Sequence, residues 1–194
     1  MRALILVASA KQKDVSSTEG MQTTVRTSDL FATRAREVVP IRMREMEEAI
    51  LGRDFETFAR VTRRESNSFH ATCLDTDPPI FYLNETSRWA IRAVELVNEK
   101  VGRTVATYTF DAGPNCVVYY LERDWEVLES MLGSCFVGKE GWRGGSGEGL
   151  REVNERVEEG LREGVSRVIM TGVGEGPISV QAHLIDERGE PVEM

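Results

Sequence analysis

The chain has 194 residues and a formal net charge of -8, with a pI near 5.0. That length suits one sizeable domain or two small ones, and 41% apolar with 29% charged residues is the balance of a folded globular chain rather than a disordered one. The acidity argues against a nucleic-acid or anionic-membrane surface as the main role. Leu4 to Ala8 reads as a buried strand; this short apolar run before Lys11-Gln12-Lys13-Asp14 fits a strand better than a signal peptide. Ser16-Ser17-Thr18-Glu19 matches a capping box, so a helix is expected from there, carrying Met21, Val25 and Leu30. The free N–H groups of such a helix start can bind an anion, or can simply be capped by serine.

Ile41 to Leu51 is expected as a helix with Met43, Met46 and Ile50 on one face and Pro40 in its first turn, and Gly52-Arg53-Asp54 breaks it. A longer helix follows, with Phe55, Phe58, Ala59, Thr62, Ser66, Phe69 and Cys73 on one stripe and His70 beside it. His70 has no evident acid-base partner in sequence and reads first as a structural residue. Asp77-Pro78-Pro79 closes this segment. Ala90, Ala93, Val94, Val97 and Val101 mark another helix, stopped by Gly102. TVATYTF and CVVYYL predict two antiparallel strands joined by Asp111-Ala112-Gly113-Pro114-Asn115. Asp111 is there either as turn chemistry or as a rigidly held carboxylate. Trp125, Leu128 and Leu132 predict a short helix, and Leu150, Val153, Val157 and Leu161 another. Val165 to Met170 and Val180 to Ile185 read as strands, and the glycine-rich stretch Gly133 to Gly149 as a mobile surface loop. Strands mixed with helices around a hairpin predict an α+β fold of two layers, an antiparallel sheet with helices packed on it.

Several motifs fail on inspection. Gly133 to Lys139 nearly spells a phosphate loop, but Glu140 stands where a magnesium-binding Ser or Thr belongs. Gly172 to Pro177 has the wrong spacing for a dinucleotide turn. Cys73, Cys116 and Cys135 form no CxxC pair or Cys/His cluster, which argues against zinc and suggests a reducing compartment. No apolar run approaches the roughly 20 residues of a membrane span.

Four stretches occur together and in order: Lys13 to Met21 (KDVSSTEGM), Ser66 to Cys73 (SNSFHATC), Pro78 to Asn84 (PPIFYLN) and Thr109 to Asn115 (TFDAGPN). With them the chain strongly resembles eukaryotic-type diphosphomevalonate decarboxylases, of the galactokinase, homoserine kinase and mevalonate kinase (GHMP) superfamily. The resemblance implies the carboxy-terminal domain fold of that superfamily over residues 1–194. It implies ATP-dependent decarboxylation of mevalonate 5-diphosphate to isopentenyl diphosphate in the mevalonate pathway, with Mg2+. It implies Asp111 as the catalytic carboxylate near the substrate's tertiary hydroxyl, and Ser17, Thr18 and Met21 as substrate-binding residues, with Thr18 the firmest match. The family is about twice this long, and its amino-terminal, nucleotide-binding half has no counterpart here. ATP and Mg2+ are therefore expected to be bound mainly by that half, and this chain is expected to be inactive alone. An apolar face exposed for that half, a homodimeric full-length form and a cytoplasmic location are further expectations. A non-catalytic binding module of the same fold is the alternative reading; another kinase of the superfamily fits DVSST and SFHATCLD poorly.

Overall fold

A computed structural model describes residues 1–8 and 16–179, together with 184, 185, 188, 190 and 191. Its centre is a four-stranded sheet in the order β2-β3-β1-β4. The strands are β1 (Arg2–Val7), β2 (Ala106–Phe110), β3 (Cys116–Tyr120) and β4 (Arg167–Gly172). All three pairings are antiparallel, with Leu4 opposite Val118 and Met170, and Tyr108 opposite Val118. The alternation expected of a pleated strand sends Leu4, Leu6, Tyr108, Phe110, Cys116, Val118 and Val168 to one face, and all are buried.

That face is covered by α5 (Glu85–Val101), α6 (Trp125–Phe136) and α7 (Gly149–Gly164). Ala90, Ala93, Val94 and Val97 of α5 form the predicted apolar stripe, joined by Leu128, Leu132, Leu150, Val157 and Leu161 in one core. Asn84 and Ser87 cap α5 reciprocally, and Gly102 closes it in the left-handed conformation. The predicted layering of helices on an antiparallel sheet is therefore what forms.

The remaining helices build the side of the molecule that carries the site. They are α1 (Ser17–Thr27), α2 (Asp29–Thr33), α3 (Val39–Leu51) and α4 (Phe55–Leu74). Between α2 and α3 the backbone opens into a π-turn over Arg34–Val38, just before Pro40. Proline brings no N–H and its ring crowds the carbonyl four residues back, which favours such local widening. Pro40 thus sits in the first turn of α3, as expected, with the π-turn continuing the helical run back to α2. The α4 helix runs along the β2 edge: Thr107 donates to the Ala59 carbonyl at 2.9 Å, and the Phe58 and Tyr119 rings meet edge-on.

Three expectations are corrected. Met21, Val25 and Leu30 do not enter the core; all are about half exposed, and Leu30 belongs to α2. Met43 and Ile50 of α3 are exposed as well, and Ala49 is that helix's buried residue. Third, Gly133 to Phe136 complete α6, and in the irregular stretch beyond, up to the start of α7, Gly144, Gly145, Gly147 and Gly149 lie against it. Ser134 N–H donates to the Gly147 carbonyl at 2.8 Å, and Trp142 Nε1 to the Gly145 carbonyl at 3.1 Å. A Cβ on Gly133 would lie 2.4 Å from Gly147 N, so glycine here permits backbone-to-backbone contact. Of the strand expected at Val180 to Ile185, residues 180–183 lie outside the described residues; Ile185 makes an isolated bridge to Pro191.

Candidate active site

Asp111 follows β2 directly, on the connection to β3, and both ends of that connection are fastened. At its start, the Phe110 N–H donates to Ser66 Oγ of α4 at 3.2 Å. Within it, Gly113 N–H returns to the Asp111 carbonyl at 2.7 Å, and the Asp111 carboxylate accepts from Ala112 N–H. At its end, Ser87 Oγ, wholly buried in the first turn of α5, donates to the Pro114 carbonyl at 2.9 Å. Asn115 Oδ1 accepts the Ala8 N–H at 3.0 Å, tying the connection to the end of β1. A short connection held at this many points places an exposed carboxylate more rigidly than a free loop does.

The carboxylate faces a cavity of ≈ 650 Å³. Ser17, Gly20, Met21 and Val25 of α1 line one wall, and Phe69, Thr72 and Cys73 of α4 another; Tyr82 and Ala112 flank Asp111. Ser16 caps α1 by accepting Glu19 N–H at 3.1 Å, so the helix begins where the capping signal puts it. Gly20 presses α1 onto Tyr82: a Cβ there would be 2.2 Å from the phenol oxygen. The exposed apolar residues of α1 are thus the lining of an open cleft.

Three of the four predicted site residues, Asp111, Ser17 and Met21, meet in this one cavity. Thr18 does not: it is exposed, and its position one residue on from Ser17 turns it about 100° around the helix. Tyr82, Cys73 and Arg34 also line the cavity. Tyr82 and Cys73 lie in the PPIFYLN and SFHATC stretches, which were recognised as motifs without roles for these two residues; no local signal distinguishes Arg34.

The electrostatics separate structural from reactive groups. Burial pushes the Cys73 thiol up, with Arg34 opposing, and pushes the Tyr82 phenol up, with Cys73, Asp111 and Glu19 adding to the shift. Both stay neutral near neutral pH. Arg34 pairs with Glu65 and donates to Ser68 Oγ at 3.1 Å, while Arg42 meets the same Glu65 at 2.8 Å. Burial works against the Glu65 carboxylate, but hydrogen bonds from the two arginines outweigh it and hold its pKa below the usual range. His70 is buried, and desolvation lowers its pKa to about 4, against smaller opposing effects of the Phe110 backbone and Asp111. It is an uncharged structural residue at neutral pH, in line with its first reading.

Among the described residues no three His, Cys, Asp or Glu side chains are grouped to hold a metal ion. The helix start at Ser17 and the partly committed Arg34 do not by themselves make a nucleotide-phosphate cradle. Neither ATP nor Mg2+ fits a site built from these residues alone.

Comparison with known proteins identifies the family. The family described as mevalonate 5-diphosphate decarboxylase C-terminal domain matches residues 3–180. The diphosphomevalonate decarboxylase of Aspergillus fumigatus is 56% identical over 98% of this chain and 50% of its own length. A crystal structure of mevalonate 5-diphosphate decarboxylase superimposes with a TM-score of 0.83 at 43% identity, covering 96% of this chain and 51% of that one. A relative described as MDDEF, in complex with MVAPP, AMPPCP and magnesium, matches 69% of this chain and 40% of its own at 28% identity and a TM-score of 0.63. The chain spans about half the length of the curated relatives it matches. It belongs to the mevalonate 5-diphosphate decarboxylase family and matches that family's C-terminal domain.

Proposed function

We propose that this chain supplies the substrate side of an ATP-dependent decarboxylation of mevalonate 5-diphosphate to isopentenyl diphosphate. The observation that carries the reading is the shared cavity: Asp111, fastened at both ends of its connection, faces Ser17 and the α1 helix start across it. A tertiary alcohol in that space would meet one carboxylate able to orient it and accept its proton as phosphorus is attacked. The diphosphate would lie toward Ser17 and the first-turn N–H groups, where a helix N-terminus favours anions. Thr18, on the outer side of the same turn, would take part only at the rim. Met21, Val25 and Phe69 would pack against the substrate's hydrocarbon and exclude water.

ATP and Mg2+ would be held by the nucleotide-binding half that the longer relatives carry, and the chain alone is expected not to turn over substrate. We place the reaction in the cytoplasm and assign the full-length form a homodimer. No described helix is long and apolar enough to cross a membrane.

The test joins this chain to the amino-terminal half of the Aspergillus fumigatus relative and measures carbon dioxide release. The hybrid is expected to turn over, and its Asp111→Asn variant to lose about 10²- to 10⁴-fold in kcat with substrate affinity retained. Near-normal turnover by that variant rejects the role of Asp111. Saturable binding of mevalonate 5-diphosphate by the isolated chain, with no hybrid turnover, would instead favour the binding-module reading.

A further inference from the structure

We infer that Asp75, at the end of α4, is a positioning residue: it straps α1 to α4 and so fixes the wall that carries Ser17 relative to Asp111. The inference rests on the reading of that cleft as the substrate site.

α1 has little packing of its own. Among its described residues only Gly20 is buried, and Met21 and Val25 stand open to the cleft. A helix that buries so little apolar surface gains little hold from the hydrophobic effect. It is held instead at both ends by the connection between α4 and α5. At its start, Gly20 seats on Tyr82, whose phenol oxygen lies 3.5 Å from the Ser16 carbonyl. At its end, Asp75 Oδ2 accepts from Ser28 Oγ at 2.7 Å and from the Leu30 N–H at 3.0 Å. Beside it, the Asp77 N–H donates to Thr27 Oγ1 at 3.0 Å. Ser28 is buried, and its Oγ also accepts the Phe31 N–H at 3.2 Å, so one hydroxyl joins the start of α2 to Asp75.

The anchoring turn is itself fixed to α4. The Asp75 N–H donates to the Ala71 carbonyl at 3.1 Å, and the Ile80 N–H to the Cys73 carbonyl at 3.0 Å. Buried Thr76 places its Oγ1 2.7 Å from the Cys73 carbonyl and 2.8 Å from that of Pro78. The same helix meets the other wall, since Ser66 Oγ accepts the N–H of Phe110, the neighbour of Asp111. Ser66 and Asp75 lie about 14 Å apart along the axis at the helical rise. Both walls of the cleft are thus referred to one helix. Without the Asp75 carboxylate the strap leaves its place for part of the time, and apparent substrate affinity falls with the fraction of chains in which α1 is seated. Bound substrate reseats it, so the loss falls on KM and spares kcat.

The test uses the hybrid enzyme. Asp75→Ala and Ser28→Ala are expected to raise KM for mevalonate 5-diphosphate about 5- to 20-fold, with kcat within about threefold of the parent. Asp75→Asn keeps one side-chain oxygen, which suffices because both donors share Oδ2; its KM is expected within about twofold of the parent. KM unchanged in both alanine variants overturns the inference. So does a loss confined to kcat, or an equal rise in Asp75→Asn and Asp75→Ala. Should Asp75→Ala fail to fold, Ser28→Ala decides. A second readout needs no turnover. In this chain, amide hydrogen exchange over Met21 to Thr27 should speed at least about fivefold in Asp75→Ala while α5 is unaffected; unchanged exchange in α1 overturns the strap. Asp111→Asn runs in parallel: full turnover there rejects the catalytic reading separately, and the strap is then judged on the exchange of α1.

Discussion

Acid should destabilise this domain through one buried histidine. His70 carries a folded-state pKa of about 4, against roughly 6.5 for a free imidazole. The dominant cause is desolvation; the Phe110 backbone and the charge of Asp111 pull the other way. Between these two values the unfolded chain binds a proton that the folded chain refuses, so falling pH favours unfolding. The His70 contribution is complete above the unfolded value and is lost as pH drops through 6.5 toward 4. Each pKa unit is worth about 1.4 kcal/mol, which gives a loss of roughly 2 kcal/mol by pH 5 and about 3 kcal/mol at full protonation of both states. Glu65, whose pKa is depressed by Arg34 and Arg42, adds its loss only below the ordinary carboxylate range, so it does not blur this window. Urea unfolding of the chain, followed by tryptophan fluorescence at pH 7, 6 and 5, reads the effect. His70→Asn cannot titrate and should lose about 2 kcal/mol less over the same interval. The subtraction also removes any contribution of His183, which both proteins share. Parallel losses in the two proteins would refute the reasoning.

Gly133→Ala should destabilise, although alanine ordinarily favours a helix interior by up to about 1 kcal/mol. Its Cβ would lie 2.4 Å from Gly147 N and 2.6 Å from the Gly145 carbonyl, and displacing backbone costs about 1–3 kcal/mol; a thermal melt checks it, with Gly174→Ala, which meets nothing within 4 Å, as the neutral control. Ser87→Ala removes the donor to Pro114 and half of the α5 capping box, so a loss of about 1–2 kcal/mol is expected in denaturant titration. All three cysteines are buried and free, and burial raises each thiol, that of Cys135 to about 12. A chromogenic disulfide reagent at pH 8 should therefore label none of them rapidly in the native chain and all three in denaturant; fast native labelling would contradict the packing.

Much of this protein was legible because its signals are local. The Ser16 cap, the α5 stripe ending at Gly102 and the alternating β2 and β3 residues each encode a period or a stop within a few positions. Motif order added Asp111, Ser17 and Met21, which the fold brings to one cavity. Local patterns misled where an apolar residue serves a cleft instead of a core: Met21, Val25 and Leu30 have helical spacing but line or border open space. They misled in part at Gly133 to Gly149, where Gly133 belongs to α6 and Gly144, Gly145, Gly147 and Gly149 signal close packing onto that helix.

What tertiary structure alone decided is how the site is held. Helix rotation separates Ser17 from Thr18, although the two are adjacent in sequence. Ser66 reaches Phe110 across 44 positions, Ser87 reaches Pro114 across 27 and Asn115 reaches Ala8 across 107. Such bonds leave no period in a sequence, because each is a single meeting of two distant residues. They become specific only once the sheet and its helices have fixed which backbone groups remain unpaired at the β2 edge.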